Sequence, residues 1–211
     1  MTTPATLERR RFADELLAVG PDAPTLCEGW DARDLAAHVV LRDRRPDASV
    51  GVVVPALSGY TETVQSKLAG RDYGELVEQV RSGPPVWSPT RLDAIDRLAN
   101  TAEFFVHLED VRRAQPDWDV RPIDDDLADD VHRTLRRAAK LFVRRSPVGV
   151  VLEPDDGRAS ILAKRWEPEV RVRGPVGELM LFVYGRGERA RVELEGDADA
   201  VARLREAPFG F

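Results

Sequence analysis

At 211 residues, with 43% hydrophobic and 32% charged side chains, the chain can build one large or two small folded domains and lacks the composition of a disordered one. Its formal charge of -6 argues against a nucleic-acid partner, because such binding rests on a concentrated basic surface. No apolar run approaches the roughly 20 residues of a spanning helix, and Met1–Arg11 has charges but no apolar signal core, so no membrane partner and a cytoplasmic location are expected.

Helical patterns dominate the first two thirds. Leu7, Phe12, Leu16 and Leu17 recur near helical spacing, which predicts a helix over Thr6–Val19 that Gly20 and Pro21 end. A second helix opens at Asp31, a natural N-cap, and runs through His38 to about Arg42, with Pro46 limiting it. Val50–Leu57 is apolar and β-branched, and reads equally as a strand, a loop or the start of a helix. Tyr60–Leu68 and Tyr73–Val80 are two helical pieces around Gly70, with Asp72 and Glu75 at capping-box spacing. The turn Gly83-Pro84-Pro85 closes them. The longest helix is expected over Leu92–Ala114, then Pro116, then another at about Asp125–Val143. The pattern therefore predicts an N-terminal helical bundle over residues 1–145.

After Pro147 the segments become short, β-rich and punctuated by Pro, Gly and Asp. Strands are predicted at Val148–Leu152, Ser160–Ala163, Val170–Val172 and Ala190–Leu194. Val176–Val183 reads as a buried helix, and Ala198–Arg205 as a closing helix capped by Asp197. Residues 146–211 are accordingly expected to form a small α+β domain, making the whole chain α+β.

The single cysteine, Cys27, excludes an internal disulfide and a multi-cysteine zinc site, so any metal must use His and carboxylates. Three histidines exist, and two of them, His38 and His107, lie on separate predicted helices. Glu103 precedes His107 by one turn. Positions i and i+4 share a helix face, so an oxygen and an imidazole nitrogen can aim at one point, and His38 would supply a third ligand. Two histidines and one carboxylate form an open set suited to zinc. The plainer alternative is that Asp96, Asn100, Glu103, His107 and Asp110 form a polar stripe facing solvent, with Glu103 and His107 a surface pair worth roughly 0.2 to 0.5 kcal/mol. Leu98, Phe105 and Leu108 share the other face with Arg97, Thr101, Glu109 and Arg112, so periodicity leaves the inward direction open.

The stretch Cys27-Glu28-Gly29-Trp30-Asp31-Ala32-Arg33-Asp34-Leu35-Ala36-Ala37-His38 resembles the signature of the mycothiol-dependent maleylpyruvate isomerase family. Glu103-Phe104-Phe105-Val106-His107-Leu108-Glu109-Asp110 is similar to that family's Glu-x-x-x-His-x-x-Asp segment. The resemblance implies a DinB-like four-helix bundle holding a divalent metal, zinc by expectation, through His38, Glu103 and His107, with mycothiol as cofactor. Gly174–Arg186 is similar to a segment of two-domain members, whose second domain is sterol-carrier-like. By that likeness Arg186 is the position of an active-site arginine.

Other residues read plainly. Cys27 is expected to be a buried small side chain rather than a nucleophile. Trp30 is expected to anchor the start of its helix. Asp34 and Asp110 either orient the imidazoles or lie at the surface. His132, among charged neighbours, is expected in solvent. Gly185-Arg186-Gly187 is a turn, not a phosphate loop. A metal-activated thiolate enzyme, acting as isomerase or thiol transferase on a small molecule, is the first functional expectation. A metal-assisted hydrolase on the same ligands and a non-catalytic metal or small-ligand binding module are the alternatives.

Overall fold

The computed structural model describes residues 3–49, 58–85 and 100–210. Val50–Leu57 and the first part of the predicted Leu92–Ala114 helix lie outside the described residues, as does Asp96. The chain divides into two compact units, residues 1–119 and 120–211.

The first unit is helical among its described residues: α1 (Pro4–Val19), α2 (Ala32–Arg44), the short α3 (Pro46–Ser49), α4 (Ser58–Ala69), α5 (Tyr73–Ser82) and α6 (Thr101–Arg112). Its boundaries follow from capping. Thr3 Oγ1 accepts from Thr6 N ahead of Pro4 at the first turn, and Gly20 ends α1 with a positive φ. Asp31 and Asp34 form a reciprocal capping box at the start of α2. Asp72 accepts from Glu75 N at the start of α5.

Helix α1 packs on α6 and α5, while α2 packs on α4 and α5. Phe12, Leu16, Leu35, Leu41, Leu76 and Phe104 are among the buried side chains between them. A charged pair crosses this core. Arg9 is buried against Asp43, donates to the Val80 carbonyl at 3.2 Å and lies 4.2 Å over the Phe104 ring, so one guanidinium ties α1, α2, α5 and α6 together. A buried guanidinium persists only where its charge and its N–H groups are matched.

The second unit carries α7 (Asp125–Phe142), β1 (Gly149–Pro154), β2 (Ile161–Lys164), β3 (Glu169–Gly174), α8 (Val176–Val183), a 3-10 turn at Gly187–Arg189, β4 (Glu193–Glu195) and α9 (Ala198–Arg205). The strand order is β2-β1-β3-β4, with β1 parallel to β3 and the outer pairs antiparallel. All eight residues of α8 are buried, six of them apolar side chains, with Glu178 accepting from the Arg191 amide.

Two details differ from the sequence reading. The units divide at 119/120 rather than 145/146, because α7 packs on β2 and α8 and brings Phe142 within 4.3 Å of the Tyr184 ring. The last strand is shorter and later than Ala190–Leu194, because the Arg191 amide donates to Glu178 Oε2 at 2.7 Å and only Glu193–Glu195 pairs with β3.

Candidate metal centre

The centre lies within the helical unit and is built by α2, α6 and the loop between α1 and α2. His38 is on α2 and is buried, with 8% of its surface exposed. Glu103 and His107 lie one turn apart on α6, so their side chains point the same way. Glu103 Oε1 is 3.0 Å from His107 Nε2 and 3.5 Å from His38 Nε2. The two imidazoles meet edge to face, 5.7 Å between centroids.

The polar stripe of α6 therefore turns inward. Asn100, Glu109, Asp110 and Arg113 are all buried. Glu109 satisfies Arg113 at 2.7 Å, and Arg113 lies 4.7 Å over the Trp118 ring. Because charged residues are buried on several sides of α6, its sequence could not mark one face as the interior.

The surroundings orient both rings. Asp110 Oδ2 lies 3.0 Å from His107 Nδ1; an ionised carboxylate only accepts, so Nδ1 carries a proton. Trp30 packs 5.0 Å from the His38 ring, which makes it more than an anchor for its helix. Asp34 instead belongs to the α2 capping box, with Oδ2 accepting from Asp31 N at 3.4 Å. The loop is closed by Thr25 Oγ1, which donates to the Trp30 carbonyl at 2.8 Å and accepts from Cys27 N at 3.1 Å. Gly29, at φ 76, makes the turn that carries the chain from Cys27 to Trp30.

Two neighbours were missed by the sequence reading. Arg42, one turn after His38, places Nη1 2.5 Å from Glu103 Oε1; its i,i+4 spacing from a candidate ligand was the available signal. Cys27 donates Sγ–H to Asp110 Oδ2 at 3.2 Å and lies 4.0 Å from His107 Nδ1. Cys27 is thus half-buried beside a carboxylate and an imidazole, not an inert apolar filler. No short spacing could reveal this, since its partners are about 80 residues away.

Charge follows the geometry. Burial pushes His38 below the ordinary imidazole value, despite its contact with Glu103. Burial would do the same to His107, but the Glu103 charge and the contacts with Asp110 and Cys27 hold it well above that value. Burial alone would raise Glu103, yet His107 and Arg42 hold it well below the carboxylate range. The surroundings thus push the two imidazoles in opposite directions, His38 toward the neutral form and His107 toward the protonated one, beside a carboxylate favoured as ionised.

That donor set fits a divalent ion. One nitrogen from each histidine and one Glu103 oxygen lie within 4.8 Å of one another. A tetrahedral zinc with bonds of about 2.0–2.1 Å sets its ligand atoms about 3.4 Å apart, close to the 3.0 and 3.5 Å seen at Glu103 Oε1.

Residues 3–87 match the family model described as the mycothiol maleylpyruvate isomerase N-terminal domain. The match includes Cys27, His38 and Arg42 and stops before Glu103 and His107. Over the whole fold, the chain resembles a crystal structure of the mycothiol-dependent maleylpyruvate isomerase, at 18% identity, a TM-score of 0.63 and 92% coverage of each chain. A histidine-to-alanine mutant of that enzyme matches at 17% identity, a TM-score of 0.61 and the same coverage. These likenesses show the shared fold, a DinB-like helical part followed by a C-terminal α+β part. Among curated proteins none matches.

The remaining candidates lie in the second unit. Arg186 donates to the Tyr184 carbonyl at 2.6 Å at the turn after α8. Gly185 there has φ 84, and a Cβ on it would lie 2.5 Å from the Phe209 carbonyl oxygen, so the turn requires glycine. His132 is not free in solvent: its Nε2 is 2.8 Å from the Ala159 carbonyl oxygen. Among the described residues no helix is long and apolar enough to cross a membrane.

Proposed function

We propose that the chain is a metal-dependent, mycothiol-using enzyme of the maleylpyruvate isomerase type, with His38, Glu103 and His107 as metal ligands and zinc as the ion. The observation that carries the reading is the convergence of those three side chains, from two distant stretches of sequence, in one partly shielded pocket of charge. A divalent ion there supplies a Lewis acid that holds a thiol sulfur as thiolate at neutral pH, where a free thiol with a pKa of about 8.5 is mostly protonated.

The chain's own residues prepare that chemistry. Glu103 brings negative charge to the two imidazoles. Asp110 holds the Nδ1 proton of His107, so that Nε2 is the atom left to face the ion. His38, held neutral by burial, has a lone pair ready without first losing a proton. Trp30 packs on the His38 ring and limits its rotation. Arg186 is proposed to bind a substrate carboxylate, a role that suits a planar guanidinium. Arg186→Lys should then lower kcat/KM while metal content holds, and unchanged kinetics would remove Arg186 from the reaction.

The deciding experiment joins elemental analysis to a turnover assay. Purified protein should contain about one equivalent of metal, strongly reduced in His38→Ala and His107→Ala, and should require mycothiol for turnover. Unchanged metal in both variants would remove the ligand assignment. Turnover without thiol would redirect the same ligands to water activation, as in a hydrolase.

A further inference from the structure

The loop between α1 and α2 reaches both imidazoles, and it reaches them by different means. Trp30 packs on the His38 ring, whereas Cys27 reaches His107 through a carboxylate. Cys27 Sγ and His107 Nδ1 converge on one atom, Asp110 Oδ2, at 3.2 and 3.0 Å. The backbone fixes the thiol's place there: the Leu26 amide donates to the Asp110 carbonyl at 3.0 Å, and Thr25 and Trp30 close the turn around Cys27. Asp110 is fully buried, so water cannot substitute for a lost donor at little cost.

We propose that Cys27 is a positioning residue of the metal centre: its S–H holds the Asp110 carboxylate in the orientation that takes the Nδ1 proton of His107 and leaves Nε2 for the ion. The inference rests on the ligand assignment proposed above. It gives the cysteine a role through hydrogen bonding, not as a nucleophile and not as a ligand. The distinction matters because Cys27, His107 and Asp110 also present ligand atoms within 4.8 Å of one another. In the positioning role, sulfur stays on the far side of His107 from the ion. Groups that orient a metal-bound imidazole are commonly worth about 10 to 100-fold in metal affinity, and a donor one step further out should lie at the lower end.

The test compares wild type, Cys27→Val and Cys27→Ser by cobalt(II) titration, reading affinity and the visible and near-ultraviolet spectrum. Valine keeps an apolar side chain and removes the donor; serine keeps a donor and shrinks the side chain. Cys27→Val should bind cobalt about tenfold more weakly, and Cys27→Ser should recover most of the loss. The wild-type spectrum should contain cobalt ligand-field bands without a thiolate-to-cobalt charge-transfer band. Wild-type affinity in Cys27→Val, or a loss in serine as deep as in valine, would overturn the proposal. A charge-transfer band that disappears in Cys27→Ser would overturn it as well, by putting sulfur on the ion. Loss of cobalt in His38→Ala alongside normal binding in Cys27→Val would leave the ligand assignment standing and remove only this role. Absence of cobalt binding in the wild type would remove both.

Discussion

Two adjacent residues of α2 face two very different partners. Asp43 meets Arg9 in the core, where both side chains are nearly sealed from water. Arg42 meets Glu103 at the edge of the histidine cluster, with about a quarter of its surface exposed. At Asp43 one carboxylate faces one guanidinium, and the Arg9 charge is further matched by the Val80 carbonyl and the Phe104 ring. At Glu103 a single oxygen is approached by a guanidinium and two imidazole nitrogens. The first pair is closed, with nothing left to recruit. The second keeps two imidazole nitrogens, that of His38, which burial favours as neutral, and that of His107, which becomes a lone-pair donor once its proton leaves, and lone pairs are what a cation needs.

The contrast breaks most clearly by removing each carboxylate in turn. Asp43→Ala leaves a guanidinium buried in the core without its counter-charge, and such losses cost about 3–5 kcal/mol. Thermal or urea unfolding should register that cost, while the protein that remains folded keeps its metal. Glu103→Gln should do the reverse, losing metal with a smaller change in metal-free stability. Equal stability losses in the two variants would mean that Glu103 is structural like Asp43.

Arg42 sharpens the comparison because it competes for the oxygen that a metal would use. In Arg42→Gln that oxygen is released and the nearby positive charge is gone, so zinc should bind more tightly. The gain should be about tenfold, the size of one charge-assisted hydrogen bond at its weaker limit of about 1.5 kcal/mol. Competition titration against a chelator would measure it. Weaker binding in this variant would mean that Arg42 orients Glu103 for the ion instead of competing with it.

The same contrast explains what the sequence could reveal. The shared face of Glu103 and His107 was legible because i,i+4 spacing places two side chains on one side of a helix whatever that side touches. Their inward direction was not legible, since Glu109, Asp110 and Arg113 are buried on the same helix and remove the usual contrast between polar and apolar faces. Cys27 could not be found because its role depends on α6 packing beside a loop far earlier in the chain. The helical first unit and the strands of the second followed from periodicity and punctuation. The packing of α7 did not, because an amphipathic pattern states that a helix has a partner and not which one. Its apolar face, including Leu127, Val131 and Leu135, was equally compatible with a bundle and with the sheet unit it joins.

The smallest expected effect is in pH, and it separates the two pairs because only the Glu103 cluster contains imidazoles. Without metal, His107 is held well above its ordinary value of 6.5; burial opposes this, but Glu103 and Asp110 outweigh it. A histidine raised in the folded state adds stability that is complete below the unfolded value and is lost as pH climbs through the folded one. Glu103, depressed below 4.5 by His107 and Arg42 against the effect of burial, adds stability above its unfolded value and loses it only as pH falls through the folded one. As pH climbs above the ordinary imidazole value of 6.5 toward and through the raised folded value of His107, the stability of the metal-free protein should therefore decline, while Glu103 stays ionised throughout. Metal binding runs the other way, because the ion must replace the Nε2 proton of His107 and gains on it as that proton becomes easier to remove. The rise in Tm on adding zinc should thus grow across the window in which the metal-free Tm falls. His38, already neutral above its lowered pKa, adds nothing to that slope. A zinc-induced Tm shift that is flat with pH would show that no proton leaves Nε2, and His107 would then be a partner of Glu103 rather than a ligand.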